Sequence, residues 1–138
     1  MTRLPEYVII TVQKDKEHKE NIMSKEYVKT VNGFSIYFEM LKEDINIYEE
    51  LSEENTGVDH SDIFEEVKSG KLKYFCAKVT ACKFENESLF VGSDYLGCCI
   101  YKDGQDFIQN SGYFDDMVKT AINDVVENSI IDILNSID

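Results

Sequence analysis

The sequence has no tryptophan, a single proline, only two histidines and about half as many basic residues as acidic ones. It also lacks any long apolar run. A membrane-spanning helix needs about 18 or more consecutive apolar residues, whereas the longest early run, Tyr7 to Ile10, suits only a short strand. Scarce proline beside eight tyrosines and eight phenylalanines excludes a disordered composition. With 138 residues, one domain is expected, large enough to bury roughly two-thirds of its unfolded surface. Met1 to Glu6 lacks the apolar core of a secretory signal, so the expected location is the cytoplasm.

The same scarcities bear on chemistry. Histidine is the usual acid–base residue, and here His18 falls in a charged stretch and His60 in an acidic turn. Gly-x-Ser-x-Gly, His-Glu-x-x-His and Gly-x-x-x-x-Gly-Lys-Ser/Thr are all absent. No catalytic residue is assigned, and the chain is read as not an enzyme. The four cysteines at 76, 82, 98 and 99 form no Cys-x-x-Cys and lack zinc-ligand spacing. They read as reduced, buried thiols acting as small hydrophobes. Asp59, Asp62, Glu65 and Glu66 lack the alternating spacing and central glycine of a calcium loop, so neither metal nor cofactor is expected. Gly92 to Gly97 lacks the lysine of a phosphate loop and reads as a turn. Lys68, Lys71, Lys73, Lys78 and Lys83 are flanked by Glu65, Glu66 and Glu85, too sparse for direct nucleic-acid binding.

What is present is β-prone runs, helical stripes and concentrated acid. Tyr7 to Gln13 is rich in β-branched residues and predicts a strand. Runs at 26–31 and 34–39 flank Asn32-Gly33, the preferred two-residue hairpin turn. Leu41, Ile45, Tyr48 and Leu51 recur at helical spacing and predict one amphipathic helix, stopped by Asn55-Thr56-Gly57. A short second helix, capped by Asp59 or Ser61, turns Ile63, Phe64 and Val67 inward and ends at Ser69-Gly70. Residues 71–84 predict a long strand with Phe75, Ala77, Val79 and Ala81 on one face and Leu72, Tyr74 and Cys76 on the other. Glu85 to Ser88 reads as a turn, with strands at 89–91 and 95–101 and a helical piece at 106–109. From a cap at Ser111, a long helix carries Phe114, Met117, Val118, Ala121, Ile122, Val125, Ile130, Ile133 and Leu134. The expected fold is a single α+β domain: a mainly antiparallel sheet of about five strands, helices packed on one face, and a long C-terminal helix.

The charge is unevenly placed. Between Glu39 and Glu66 stand eleven acids and one base, Lys42, a formal −10 out of −13. If helical from Glu39 to Glu54, this stretch would span roughly 24 Å, with about one carboxylate per 3.4 Å, near the charge spacing of one nucleic-acid strand. Such a surface suits a basic groove built for nucleic acid. The candidate partner-binding residues are Glu43, Asp44, Tyr48, Glu49, Glu50, Glu53, Glu54, Asp59, Asp62, Phe64, Glu65 and Glu66, with Tyr48 or Phe64 as aromatic anchors.

The stretches Gly92 to Tyr101, Phe107-Ile108 and Ser111 to Val118 with Ala121-Ile122 resemble small proteins of bacteriophages and other mobile elements. The resemblance covers about 35 residues and includes no catalytic signature. Small acidic phage proteins include anti-CRISPR and antirestriction inhibitors, some of them nucleic-acid mimics. The resemblance therefore implies an inhibitory binding protein in a bacterial host, its partner a basic nucleic-acid-binding protein or complex, with neither membrane nor direct nucleic acid. The competing expectation is an acidic adaptor acting through an apolar interface, as a homodimer or by docking the outer side of the 113–135 helix.

Overall fold

The computed structural model describes residues 22–135, without the side chains of residues 53, 55 and 129–135. The strand expected at 7–13 lies outside the described residues. The described chain is α+β. Strands β1 (Ile22–Val31) and β2 (Phe34–Leu41) lead into three short helices, α1 (Ile47–Glu50), α2 (Glu53–Thr56) and α3 (Ser61–Lys68). Strands β3 (Lys73–Glu85) and β4 (Ser88–Tyr101) follow, then α4 (Gly104–Asn110) and the long α5 (Phe114–Asn135). The four strands form one antiparallel sheet in chain order, so β2 and β3 are neighbours although residues 42–72 intervene.

Both hairpins turn on two residues in the left-handed region. Asn32 (φ 51°) and Gly33 (φ 84°) join β1 to β2 as expected, and Asn86 (φ 52°) and Glu87 (φ 63°) join β3 to β4. Such turns match the right-handed twist of the strands they connect. Asn-Glu lacks the glycine that makes this turn easy to recognise in sequence.

Alternation along β2 and β3 sends Ile36, Phe38 and Met40, then Phe75, Ala77, Val79 and Ala81, into the core. Helix α5 covers this face with Phe114, Met117, Val118, Ala121 and Val125, while α4 inserts Phe107. Phe107 stacks on Phe38 at 5.3 Å and meets Tyr101 edge-on at 5.1 Å. Among the described residues the sheet has four strands rather than about five, and the break expected at Gly92-Ser93-Asp94 is not there. β4 runs through these residues unbroken. Gly92 serves close packing: a Cβ at this position would collide with the α5 backbone at Ala121 and Val125. Helix α5 can therefore lie directly on β4, tied at its edge by Asp124, which accepts from the Ser93 N–H (3.0 Å). Its N-terminus begins one turn beyond Ser111, whose Oγ accepts from the Tyr113 N–H at 3.1 Å.

The single amphipathic helix expected across Leu41 to Leu51 does not form. Leu41 closes β2 as a buried strand residue paired with Cys76, and Ile45 is exposed. The helix starts only at Ile47, with the Asn46 side chain accepting from the Tyr48 N–H, and it ends after one turn. Pairing of Leu41 into the ladder satisfies the backbone groups that an earlier helical start would have used. The second expected helix does form, but its N-cap is His60, with no side-chain cap bond, rather than Asp59 or Ser61. Asp59 Oδ1 accepts from the Ser61 N–H at 2.9 Å, and Gly70 (φ 87°) lies just past the helix end.

Candidate functional site

The acidic residues from Glu43 to Glu66 form a surface layer at one end of the sheet. No described residue from Lys42 to Gly70 is fully buried, so the layer is held by a few specific anchors rather than by its own core. The first anchor is a β-bulge. Phe75 pairs with Cys99 and Ala77 with Leu96, leaving Gly97 and Cys98 together opposite Cys76. Cys98 adopts φ 55°, uncommon for a residue with a side chain. Its displaced N–H donates to Glu43 Oε1 at 2.5 Å, and Glu43 Oε2 accepts from the Ile45 N–H at 3.3 Å. Gly97 leaves room for this carboxylate, because a Cβ there would stand 2.9 Å from Glu43 Oε1.

Tyr74 provides the second anchor. Its hydroxyl donates to the Ile45 carbonyl at 2.9 Å and lies 3.4 Å from Cys98 Sγ. A phenol has one proton, and the shorter contact marks the carbonyl as its acceptor. The third anchor is the Tyr48–Phe64 pair, whose ring centroids are 4.9 Å apart at 41°, joining α1 to α3.

These anchors separate the candidate residues. Glu43 is turned inward onto the bulge and is correspondingly half-buried, so it is a structural acceptor rather than part of the outward charge. Phe64 is half-buried beneath Tyr48, which remains 58 % exposed. Of the two aromatic anchors proposed for a partner, only Tyr48 presents a large surface. Asp44, Glu49, Glu50, Glu54, Asp59, Asp62 and Glu65 are exposed, Glu66 is half-buried, and the Glu53 side chain lies outside the described residues. Because the helix is broken at Leu51 and Ser52, the carboxylates do not form the straight 24 Å row inferred from a continuous helix. They spread over three short helices and the turns between them. Asp44, Glu50, Glu54, Asp59, Asp62, Glu65 and Glu66 make no ion pair among the described residues, where the ion pairs are Lys25–Glu39, Lys29–Asp115 and Lys83–Glu85.

The field of this layer reaches the groups beneath it. Burial raises the Tyr74 phenol and the Cys76 and Cys98 thiols, and the Glu43 carboxylate adds to the rise in all three. Cys99, buried in the core, is pushed up to about 11, mainly by loss of solvent. Raised thiols are protonated at neutral pH, the reverse of an activated nucleophile. Among the described residues no three His, Cys, Asp or Glu side chains are gathered to hold a metal ion, and no helix is long and apolar enough to cross a membrane.

Sequence reasoning missed Glu43 as an anchor, together with Tyr74 and Cys98 as its supports. Its one available signal was Gly97 inside a β-prone run, which points to a bulge or a close approach. The sequence matches no protein-family model, and comparison with curated proteins and with solved structures finds no match.

Proposed function

We propose that this chain is an inhibitory binding protein whose acidic layer occupies a basic, nucleic-acid-binding site on a partner protein. The resemblance to phage and mobile-element proteins makes the partner a component of a bacterial defence complex, as for an anti-CRISPR. The observation that carries this reading is the combination of charge and anchoring. A segment from Glu43 to Glu66 with ten carboxylates and no base is secured to the sheet through Glu43 and Tyr74, and its first and third helices are joined to each other by the Tyr48–Phe64 pair. Solubility alone would need no such attachment. A preorganised array of like charge also loses less entropy on binding than a flexible one, and it steers association with a basic surface. Tyr48, exposed among the carboxylates, supplies an aromatic contact of the kind that concentrates binding energy.

The adaptor reading calls for an apolar outer face on α5. Among the described side chains of α5, Asp115, Asp116, Lys119, Asn123 and Glu127 are exposed and Val126 is the exposed large hydrophobic, which weighs against it over residues 114–128.

The test is capture of partners from a bacterial lysate at low salt, followed by elution with a salt gradient and competition with single-stranded nucleic acid. A basic nucleic-acid-binding protein should elute and be displaced by the competitor. Reversal of Glu50, Glu54, Asp62 and Glu65 to Lys should weaken its binding by at least about tenfold, since rim charges each contribute a fraction of a kcal/mol that accumulates. Unchanged capture by the reversed variant would refute the proposal.

A further inference from the structure

The bulge beneath the acidic layer brings two of the four cysteines to one place. Phe75 and Ala77 point into the core, so Cys76 between them points to the opposite face of the sheet, as does Tyr74. Cys98 precedes the core residue Cys99, and its sulfur lies beside the Tyr74 hydroxyl, which places it on that same face. Cys76 is the β3 residue facing the two-residue bulge of Gly97 and Cys98. Cys76 has no one-to-one partner on β4, and Cys98 is close enough for its charge to raise the Cys76 thiol. Cα atoms across an antiparallel pair stand about 4.5–5.5 Å apart, within the range a disulfide spans. Both cysteines are half-buried, whereas Cys82 and Cys99 are buried.

We propose that Cys76 and Cys98 form a reversible disulfide under oxidant, and that this bond locks the bulge on which the acidic segment is anchored. Hydrogen peroxide or a similar two-electron oxidant supplies the chemistry. The Cys98 thiol gives up its proton and its sulfur attacks a peroxide oxygen, breaking the O–O bond to give a sulfenic acid and hydroxide, which takes that proton and leaves as water. The Cys76 thiol likewise ionises and attacks that sulfur, the S–S bond forms, and the S–OH bond breaks to release hydroxide, which takes the Cys76 proton and leaves as a second water. Two thiols lose two electrons and two protons, and one peroxide becomes two waters. The reverse step is exchange with an external dithiol. Burial and the Glu43 carboxylate hold both thiols up, so oxidation is slow and answers sustained oxidant exposure.

The consequence follows from the position of Cys98. Its N–H is the donor to Glu43, and its backbone sits in a conformation that a side chain disfavours. Linking it to β3, an inner strand of the sheet, fixes that donor in place. Local opening of the 43–66 segment then becomes rarer. This lock regulates binding only if the acidic layer is the binding surface, as proposed above. The disulfide and its effect on local opening need no partner, so they stand or fall separately.

The full-length chain, reduced or treated with peroxide, is digested and its peptides are mapped by mass spectrometry. A cross-link joining residues 76 and 98 within one chain, with loss of two hydrogens, is the expected product. Cys76→Ser and Cys98→Ser should each abolish it, and Cys82→Ser should leave it intact. Limited proteolysis should cut between residues 51 and 59 at least about threefold more slowly after oxidation. Pairing of Cys76 with Cys99, cross-linking only between chains, or thiols that remain unpaired would overturn the disulfide. A 76–98 cross-link with unchanged cleavage would overturn the lock. Differential alkylation of the unmodified chain gives the same reading without relying on a variant that folds.

Discussion

At the scale of single residues, the most consequential side chains are those whose role depends on a neighbour distant in sequence. Glu43 reads as one acid among ten, yet it accepts from the Cys98 N–H, 55 residues away. Glu43→Ala should destabilise the domain by about 1–2 kcal/mol, the effect of losing a charged acceptor from a strained backbone donor. Chemical denaturation measures the loss, and hydrogen exchange should place it in residues 43–66. Gly92 reads as a turn glycine, but its place is against α5. Gly92→Ala would force a methyl group into backbone that cannot yield, and a loss of about 2–4 kcal/mol is expected by thermal or urea unfolding. Glu87 offers the opposite case. It holds φ 63° at the second position of a two-residue turn, where glycine is unstrained. Glu87→Gly should raise stability by about 0.5–1 kcal/mol, and an unchanged or lowered midpoint would count against the strain argument.

At the scale of elements, the first hairpin, β3 and the short helix at 61–68 were legible, whereas the unbroken β4 and the fate of the stripe from Leu41 to Leu51 were not. Val79 and its neighbours alternate clearly because one face of β3 is buried, and a period of two survives any tertiary context. The stripe from Leu41 to Leu51 has helical spacing, but the ladder with β3 claims Leu41 first. Strand pairing and a helical start compete for the same backbone groups, and periodicity cannot see which one wins. Helix α4 was partly legible as the helical piece expected at 106–109, and it starts earlier, at Gly104. Its N-cap Asp103 accepts from the Asp106 N–H at 2.8 Å. Asp106 in turn accepts from the Lys102 N–H and from Asn110, which hold its carboxyl below the ordinary value. A depressed folded-state pKa contributes stability above the unfolded value, about 3.9, which is lost as pH falls through the lower folded value. NMR titration should show Asp106 protonating below that ordinary value, with α4 losing exchange protection in the same acid window. Asp106→Asn should remove this pH dependence.

At the scale of the whole molecule, ten of the thirteen net negative charges are concentrated in a layer that has no buried residue of its own among those described. Mutual repulsion there opposes compactness, and added salt screens it over about 10 Å at 0.1 M. Thermal midpoints should therefore rise between low and moderate salt, and the variant with Glu50, Glu54, Asp62 and Glu65 reversed should show a flatter response. The sequence by itself determined the α+β class, the Asn32-Gly33 hairpin, the inward face of β3 and the place of the acid along the chain. These depend on local conformational preference and burial period, which act over a few residues. Only the tertiary structure decided that Glu43 anchors while its neighbours face solvent, that Gly92 is a contact surface, and that Cys76 meets Cys98. Each of these depends on which strand pairs with which and in what register. Such long-range choices arise from the summed packing of the sheet against α4 and α5, and no local segment encodes them alone.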